Sequence, residues 1–179
     1  MKKIKVYLLK FKLFYLKLLG KIKMIDNSIE VNQNNTNKIK NVLIIFPIKE
    51  EEFRVALYSL RNLVKKENVN YYYLINSLYK NNFHLNGHIY DLYHNIKKDK
   101  VEIDSYFSNE IAMKNDFDFI IDLNNEFVFD ISYLINKMSS YYKVGFKNSY
   151  SDYFYNIQFD LDSFDILEDG YKQINTLLK

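Results

Sequence analysis

The sequence predicts an α/β fold: one Rossmann-like, three-layer domain with a mostly parallel sheet, preceded by a basic amphipathic N-terminal helix. Three observations lead there. Phe117–Phe146 reads as one strand–helix–strand unit: a strand at Phe117–Leu123, a helix from about Phe127 to Met138, and a second strand at Tyr142–Phe146. Asn41–Phe46 (NVLIIF) is a continuous apolar run ahead of Pro47, which suits a first strand buried on both faces. Between and after these stretches, strand-like runs alternate with helical periodicity.

The 179 residues fit one domain of ordinary size, and 48% hydrophobic residues are ample for a core. Tyr and Phe are abundant and Trp is absent, a compositional bias that is no evidence for base stacking or sugar platforms. The absence of cysteine excludes disulfides, thiolate metal sites and a cysteine nucleophile, and fits a cytoplasmic setting. The net charge of +3 is uneven. Residues 1–24 hold eight lysines and no acid, and taking those eight away leaves the other 155 residues at −5. A basic arm on an acidic body argues against nucleic acid as a partner.

Residues 2–23 follow a helical period, with Ile4, Leu8, Phe11, Tyr15, Leu18 and Ile22 on one face. Lys3, Lys10, Lys17 and Lys21 fall on the opposite side, flanked by Lys5, Lys12 and Lys23. Lysines interrupt every apolar run long before the roughly 20 residues that cross a bilayer, and no small-residue cleavage site follows. Two readings fit: a helix lying in the plane of an anionic membrane surface, or a helix packed on its own domain. Residues 25–40 are polar and Asn-rich, which predicts a linker between the arm (1–24) and the α/β domain (41–179).

After the first strand, Glu50 to about Lys66 predicts a helix, with acids in its first turn and Phe53, Ala56, Leu57, Leu60 and Val64 as its apolar stripe. A strand follows at Asn70–Ile75. Asn86-Gly87 is a turn signal between short strands near Phe83 and at His88–Tyr93. A strand at Lys100–Ile103 and a helix over Tyr106–Lys114 lead into the central unit. Beyond it come an edge strand within Tyr153–Phe159 and a closing helix over Phe164–Leu178, making five or six strands in all.

Few motifs carry chemistry. His84 and His88 are four apart, but Asn86-Gly87 lies between them and no third ligand matches, so no metal site is expected. No glycine-rich phosphate loop follows the first strand, and no Gly-x-Ser-x-Gly occurs, so neither a dinucleotide or P-loop site nor a nucleophile elbow is present. Asn124, Asn125 and Glu126 lie just past a strand's carboxyl end, where open α/β sheets place their ligands. Glu50, Glu51, Glu52 and Asp122 gather at similar positions. They suit a general base, and the three glutamates equally suit a helix N-terminus. The Lys143–Asp160 loop offers Lys147, Asn148, Ser149, Ser151 and Asp152 to a sugar or phosphate, or packs its tyrosines on the core.

Together these elements resemble the N-terminal domain of the heptosyltransferase-like glycosyltransferases, the lipopolysaccharide core enzymes with two Rossmann domains in a GT-B arrangement. Val42–Ile45 resembles that family's first strand and Leu60-Arg61-Asn62-Leu63 the pattern ending its first helix. Phe117–Leu123 resembles its Asp-hydrophobic-hydrophobic-Ile-Asp-Leu strand. Tyr142–Phe146 resembles its Arg-x-Gly-Phe strand, and Tyr150–Gln158 the Tyr-Asn segment beyond. The likeness covers roughly residues 40–160.

The resemblance implies an inverting transferase working on the acceptor side at the inner membrane face. It makes Glu52 the catalytic base; the polar groups noted above, Lys147, Asn148 and Asn124, would then hold the acceptor, with no cofactor. The family's Gly-Asp falls on Glu51-Glu52, which keeps a carboxylate and loses the permissive glycine. The donor-binding domain would be a separately encoded partner. The alternative is a non-catalytic α/β binding or scaffold protein attached peripherally to the membrane.

Overall fold

The computed structural model describes residues 2–23, 25, 39–61, 68–98 and 100–178, with α1 side chains from residue 7 onward. The α/β expectation holds. A seven-stranded sheet runs in the order β4-β3-β2-β1-β5-β6-β7, built from β1 (Asn41–Ile45), β2 (Asn70–Asn76), β3 (His88–Asn95), β4 (Lys100–Ile103), β5 (Phe117–Asp122), β6 (Ser140–Phe146) and β7 (Ile157–Phe159). Every pairing is parallel except β3–β4. With the antiparallel β4 set aside, the order is that of the doubly wound dinucleotide-binding fold, and it reverses between β1 and β5.

β1 is the middle of this sheet for the reason its sequence announced. Val42, Ile44 and Phe46 pack on one side, Leu43 and Ile45 on the other, and all five are fully buried. Pro47 has no N–H to continue the ladder, so pairing stops there. The first side carries α2 (Glu50–Leu60) and α5 (Leu167–Thr176). The second carries α1 (Lys2–Leu18), α3 (Ala112–Lys114, entered from the π-helical turn Phe107–Ile111) and α4 (Phe129–Lys137).

Several boundaries differ from the sequence reading. The sheet has seven strands rather than five or six: the runs expected at His88–Tyr93 and within Tyr153–Phe159 both pair, as His88–Asn95 and Ile157–Phe159. No strand forms at Phe83. Ser77–Asn82 is a 3-10 turn capped by Asn76, whose Oδ1 accepts from the Leu78 N–H at 3.2 Å. Phe83 then turns inward, its ring 5.2 Å from Phe46 and 5.0 Å from Tyr73. The helix expected to reach Lys66 is described only to Leu60. Its end, with Leu63 and Val64, lies outside the described residues, as do residues 26–38 of the expected linker.

The arm docks on the domain, but not by the face its periodicity picked out. Leu13 is buried and Leu9 and Leu16 pack with it, while Leu8, Phe11, Tyr15 and Leu18 point outward. Two lysines flank the docked stripe: Lys12, expected as a flanking residue, and Lys17, expected opposite the apolar face. Lys12 Nζ lies 3.5 Å from the Phe129 ring centre and Lys17 Nζ 5.2 Å from that of Tyr153. Gly20 ends the helix at φ +63°, with its N–H donating to Lys17 O and the Lys21 N–H to Leu16 O, both at 2.9 Å. That left-handed cap turns the chain so that Ile22 buries. Asn136 of α4 then holds Lys23 at both backbone groups, accepting from its N–H at 2.9 Å and donating to its C=O at 2.8 Å.

Gly145 of β6 fits because it has no side chain: a Cβ there would stand 2.8 Å from three ring carbons of the buried Tyr155. Gly145→Ala is expected to cost about 1–3 kcal/mol by overpacking. Urea unfolding should show it as a lower midpoint at unchanged slope.

Candidate functional site

At the carboxyl edge of the sheet, where the strand order reverses, an open cleft of about 720 Å3 lies beneath the N-terminal half of α1. Its floor is the β1–α2 loop (Ile48, Lys49 and the helix-entry Glu52) and the β5–α4 loop (Asn124, Glu126 and Phe127). The β3–β4 turn supplies one wall, with His94, Lys97, Lys98 and Lys100. Leu8, Leu9 and Lys12 of α1 supply the other.

The floor is held by a buried polar network. Asp122 ends β5 at 2% exposure, and its Oδ1 accepts from the Asn124 N–H at 3.0 Å and the Asn124 side-chain amide at 2.7 Å. Asn124 Oδ1 in turn accepts from the Ile48 N–H at 3.0 Å, so one amide joins the loops after β5 and β1. The Ile48 carbonyl accepts from Asn76 and from the Tyr79 hydroxyl, both at 3.3 Å, which adds the loop after β2. The other Asp122 oxygen accepts a 2.6 Å bond from the Tyr155 hydroxyl, which lies 3.2 Å from Ser132 Oγ on α4. Burial raises the Asp122 pKa, and the bonds from Tyr155 and Asn124 offset only part of that. Burial likewise pushes the Tyr155 hydroxyl well up, reinforced by the charge of Asp122.

Above this network Lys49 bridges two carboxylates, Glu52 at 3.2 Å and Glu126 at 2.7 Å. Partial burial alone would lower the lysine's pKa, but the hydrogen bonds it donates to Glu126 and Glu52, with their negative charges, outweigh it and the net shift is upward. The Glu52 side chain is 13% exposed, turned onto the cleft, whereas Glu126 is open to solvent.

Of the residues the sequence singled out, the structure therefore brings Glu52 and Asn124 together and leaves two elsewhere. Lys147 is paired with Asp160 at 2.8 Å. Asn148 is folded onto its own loop: its amide donates to Phe146 O and its Oδ1 accepts from the Tyr150 N–H. Neither lines the cleft. His84 and His88 are also apart in role, His84 beside Asn82 O in a loop and His88 stacked on Tyr72. Among the described residues no cluster of three or more His, Asp or Glu side chains is placed to hold a metal ion.

The reading of the sequence missed Tyr155 and Ser132, because their link to Asp122 spans long stretches of chain. It also passed over the Ile96-Lys97-Lys98-Asp99-Lys100 turn, whose charge run was a usable signal. The fold and cleft define a Rossmann-like α/β domain with an open cleft at the carboxyl edge of its sheet. Comparison with family models, with curated proteins and with solved structures returns no match.

The raised Asp122 pKa fixes a pH dependence. A carboxyl whose native pKa lies above its unfolded value favours folding fully below the ordinary 3.8 and loses that contribution as pH rises through the native value. Relative to Asp122→Asn, the wild-type chain should lose up to about 1.4 kcal/mol of stability per pH unit across that window, and then level off. Denaturant titrations from pH 4 upward check this, and a flat difference would show that Asp122 does not titrate there.

Proposed function

We propose that this chain is the acceptor-side domain of a glycosyltransferase-like system, held peripherally on the inner face of a membrane through residues 1–24. The donor nucleotide-sugar site would be contributed by a partner domain. The observation that carries the reading is the position of Glu52. The carboxylate that the family resemblance makes the base lies on the cleft floor at the β1/β5 reversal, where doubly wound folds bind ligands.

In that role Glu52 takes the proton from an acceptor hydroxyl as its oxygen attacks the anomeric carbon, while the bond to the nucleotide leaving group breaks. Lys49, already bridging Glu52 and Glu126, supplies the neighbouring positive charge. Asn124 acts as the brace that holds the two loops in register, since its amide is engaged by Asp122 and Ile48. Lys147 and Asn148 drop out of this assignment in favour of the cleft.

A non-catalytic binding or scaffold role is the second reading. It is favoured by the glutamate pair standing where the family that the sequence resembles has Gly-Asp, and by the Lys49 bridge that already occupies Glu52.

Calorimetry separates the two. The chain alone should show no binding heat with ADP- or UDP-sugars but should bind phosphorylated sugar acceptors. In a pair reconstituted with a donor domain, Glu52→Gln should lower turnover by about 10²–10⁴-fold with acceptor binding little changed. Turnover insensitive to Glu52→Gln would overturn the catalytic role. Acceptor binding without turnover in any pairing would leave the scaffold reading.

A further inference from the structure

The docked α1 carries two apolar stripes. The inner one, Leu9, Leu13 and Leu16, is covered by the domain. On the opposite side of the helix Tyr7, Leu8, Phe11, Phe14, Tyr15 and Leu18 remain 54–72% exposed, an unusual concentration of large apolar side chains in water. Lysines run between the two stripes, and residues 1–24 contain no acid to neutralise them.

A second exposed apolar group stands across the cleft. Ile96, at the tip of the β3–β4 hairpin, is 78% exposed, the most exposed large apolar side chain among the described residues. The turn presenting it is fixed, with the Lys98 N–H donating to Asn95 Oδ1 at 3.2 Å. Lys97, Lys98 and Lys100 follow Ile96 in the sequence with Asp99 among them; Lys100 is paired with Glu102 at 3.1 Å, and the Lys97 and Lys98 side chains are exposed. Leu8 connects the two features: it lines the cleft opposite Lys97 and Lys98 and also belongs to the outer groove of α1 with Tyr7, Phe11 and Phe14.

From this juxtaposition we infer that the β3–β4 hairpin tip is a second membrane-contact point, acting with the outer face of α1 on an anionic lipid bilayer. The inference rests on the membrane attachment proposed above and adds an element to it. Apolar side chains ringed by lysines suit the lipid headgroup boundary, where the chain inserts and the charges meet anionic heads. Neither element is long enough to span: among the described residues no helix is long and apolar enough to cross a membrane. A helix alone would leave the domain free to roll about the helix axis, whereas two separated contacts fix which way the cleft faces.

The test is sedimentation with vesicles of pure phosphatidylcholine and with vesicles containing phosphatidylglycerol. The full chain is compared with Ile96→Asp, Lys97→Glu/Lys98→Glu and Phe11→Asp/Phe14→Asp. All the substituted side chains are exposed, and circular dichroism verifies that each variant folds. Wild type should prefer the anionic vesicles, and each hairpin variant should bind them at least about tenfold more weakly. Hairpin variants that bind like wild type, while the α1 variant fails, would overturn the hairpin contact and leave the membrane reading standing. A wild-type chain that ignores anionic vesicles, or forms dimers through α1 in the ultracentrifuge, would overturn both.

Discussion

The carboxyl edge of this domain depends on one buried carboxyl group. Asp122 reaches in two directions, through Asn124 to the loop after β1 and through Tyr155 to α4. Its placement at the end of a strand buried on both faces makes water unavailable, so protein donors must satisfy it. The donors that do so are the very groups that fix the loops. The cost of burying Asp122 and the precision of the cleft floor thus arise from the same contacts. Gly145 belongs to the same arrangement, since only a residue without a side chain lets the Tyr155 ring lie where its hydroxyl reaches the carboxyl.

Much of the fold was legible because it rests on local pattern. Val42–Phe46 is apolar without interruption and becomes the central strand. The acids of Glu50–Glu52 and the stripe from Phe53 to Leu60 become a helix that buries that stripe. Elements whose identity depends on distant partners were not legible. Phe83 looks like a strand residue until Phe46 and Tyr73 offer a place for its ring. The alternation of Tyr153–Phe159 did announce the edge strand, but only its pairing with β6 trims it to Ile157–Phe159. The site divides in the same way. Glu52 and Asn124 follow strand ends and could be placed by that rule. Lys147 and Asn148 were chosen for chemistry alone, and their neighbours Asp160 and Tyr150 had already engaged them.

The arm shows why a single periodic stripe can mislead. A helix with apolar residues on two opposite sides has two faces to bury, and periodicity cannot say which one its own domain will take. Here the narrower leucine stripe went inward, secured by Lys12 on Phe129 and Lys17 on Tyr153. The aromatic-rich face stayed out. Packing against the domain and contact with a membrane are therefore compatible rather than rival fates for residues 1–24.

The clamp behind α1 has a consequence for how this chain tolerates change. Asn136 grips position 23 only through main-chain atoms, so almost any side chain could replace the lysine without loosening the arm. Asn136 itself has no such latitude, because aspartate would lack the amide hydrogens given to Lys23 and Tyr153, and leucine would lack every polar contact. What a neutral residue at 23 would alter lies elsewhere: Lys143, held near 8 by burial and by the charge of Lys23, would keep its proton to higher pH. Variation at one point of the pair is thus nearly silent for architecture yet audible in the ionisation of a buried amine.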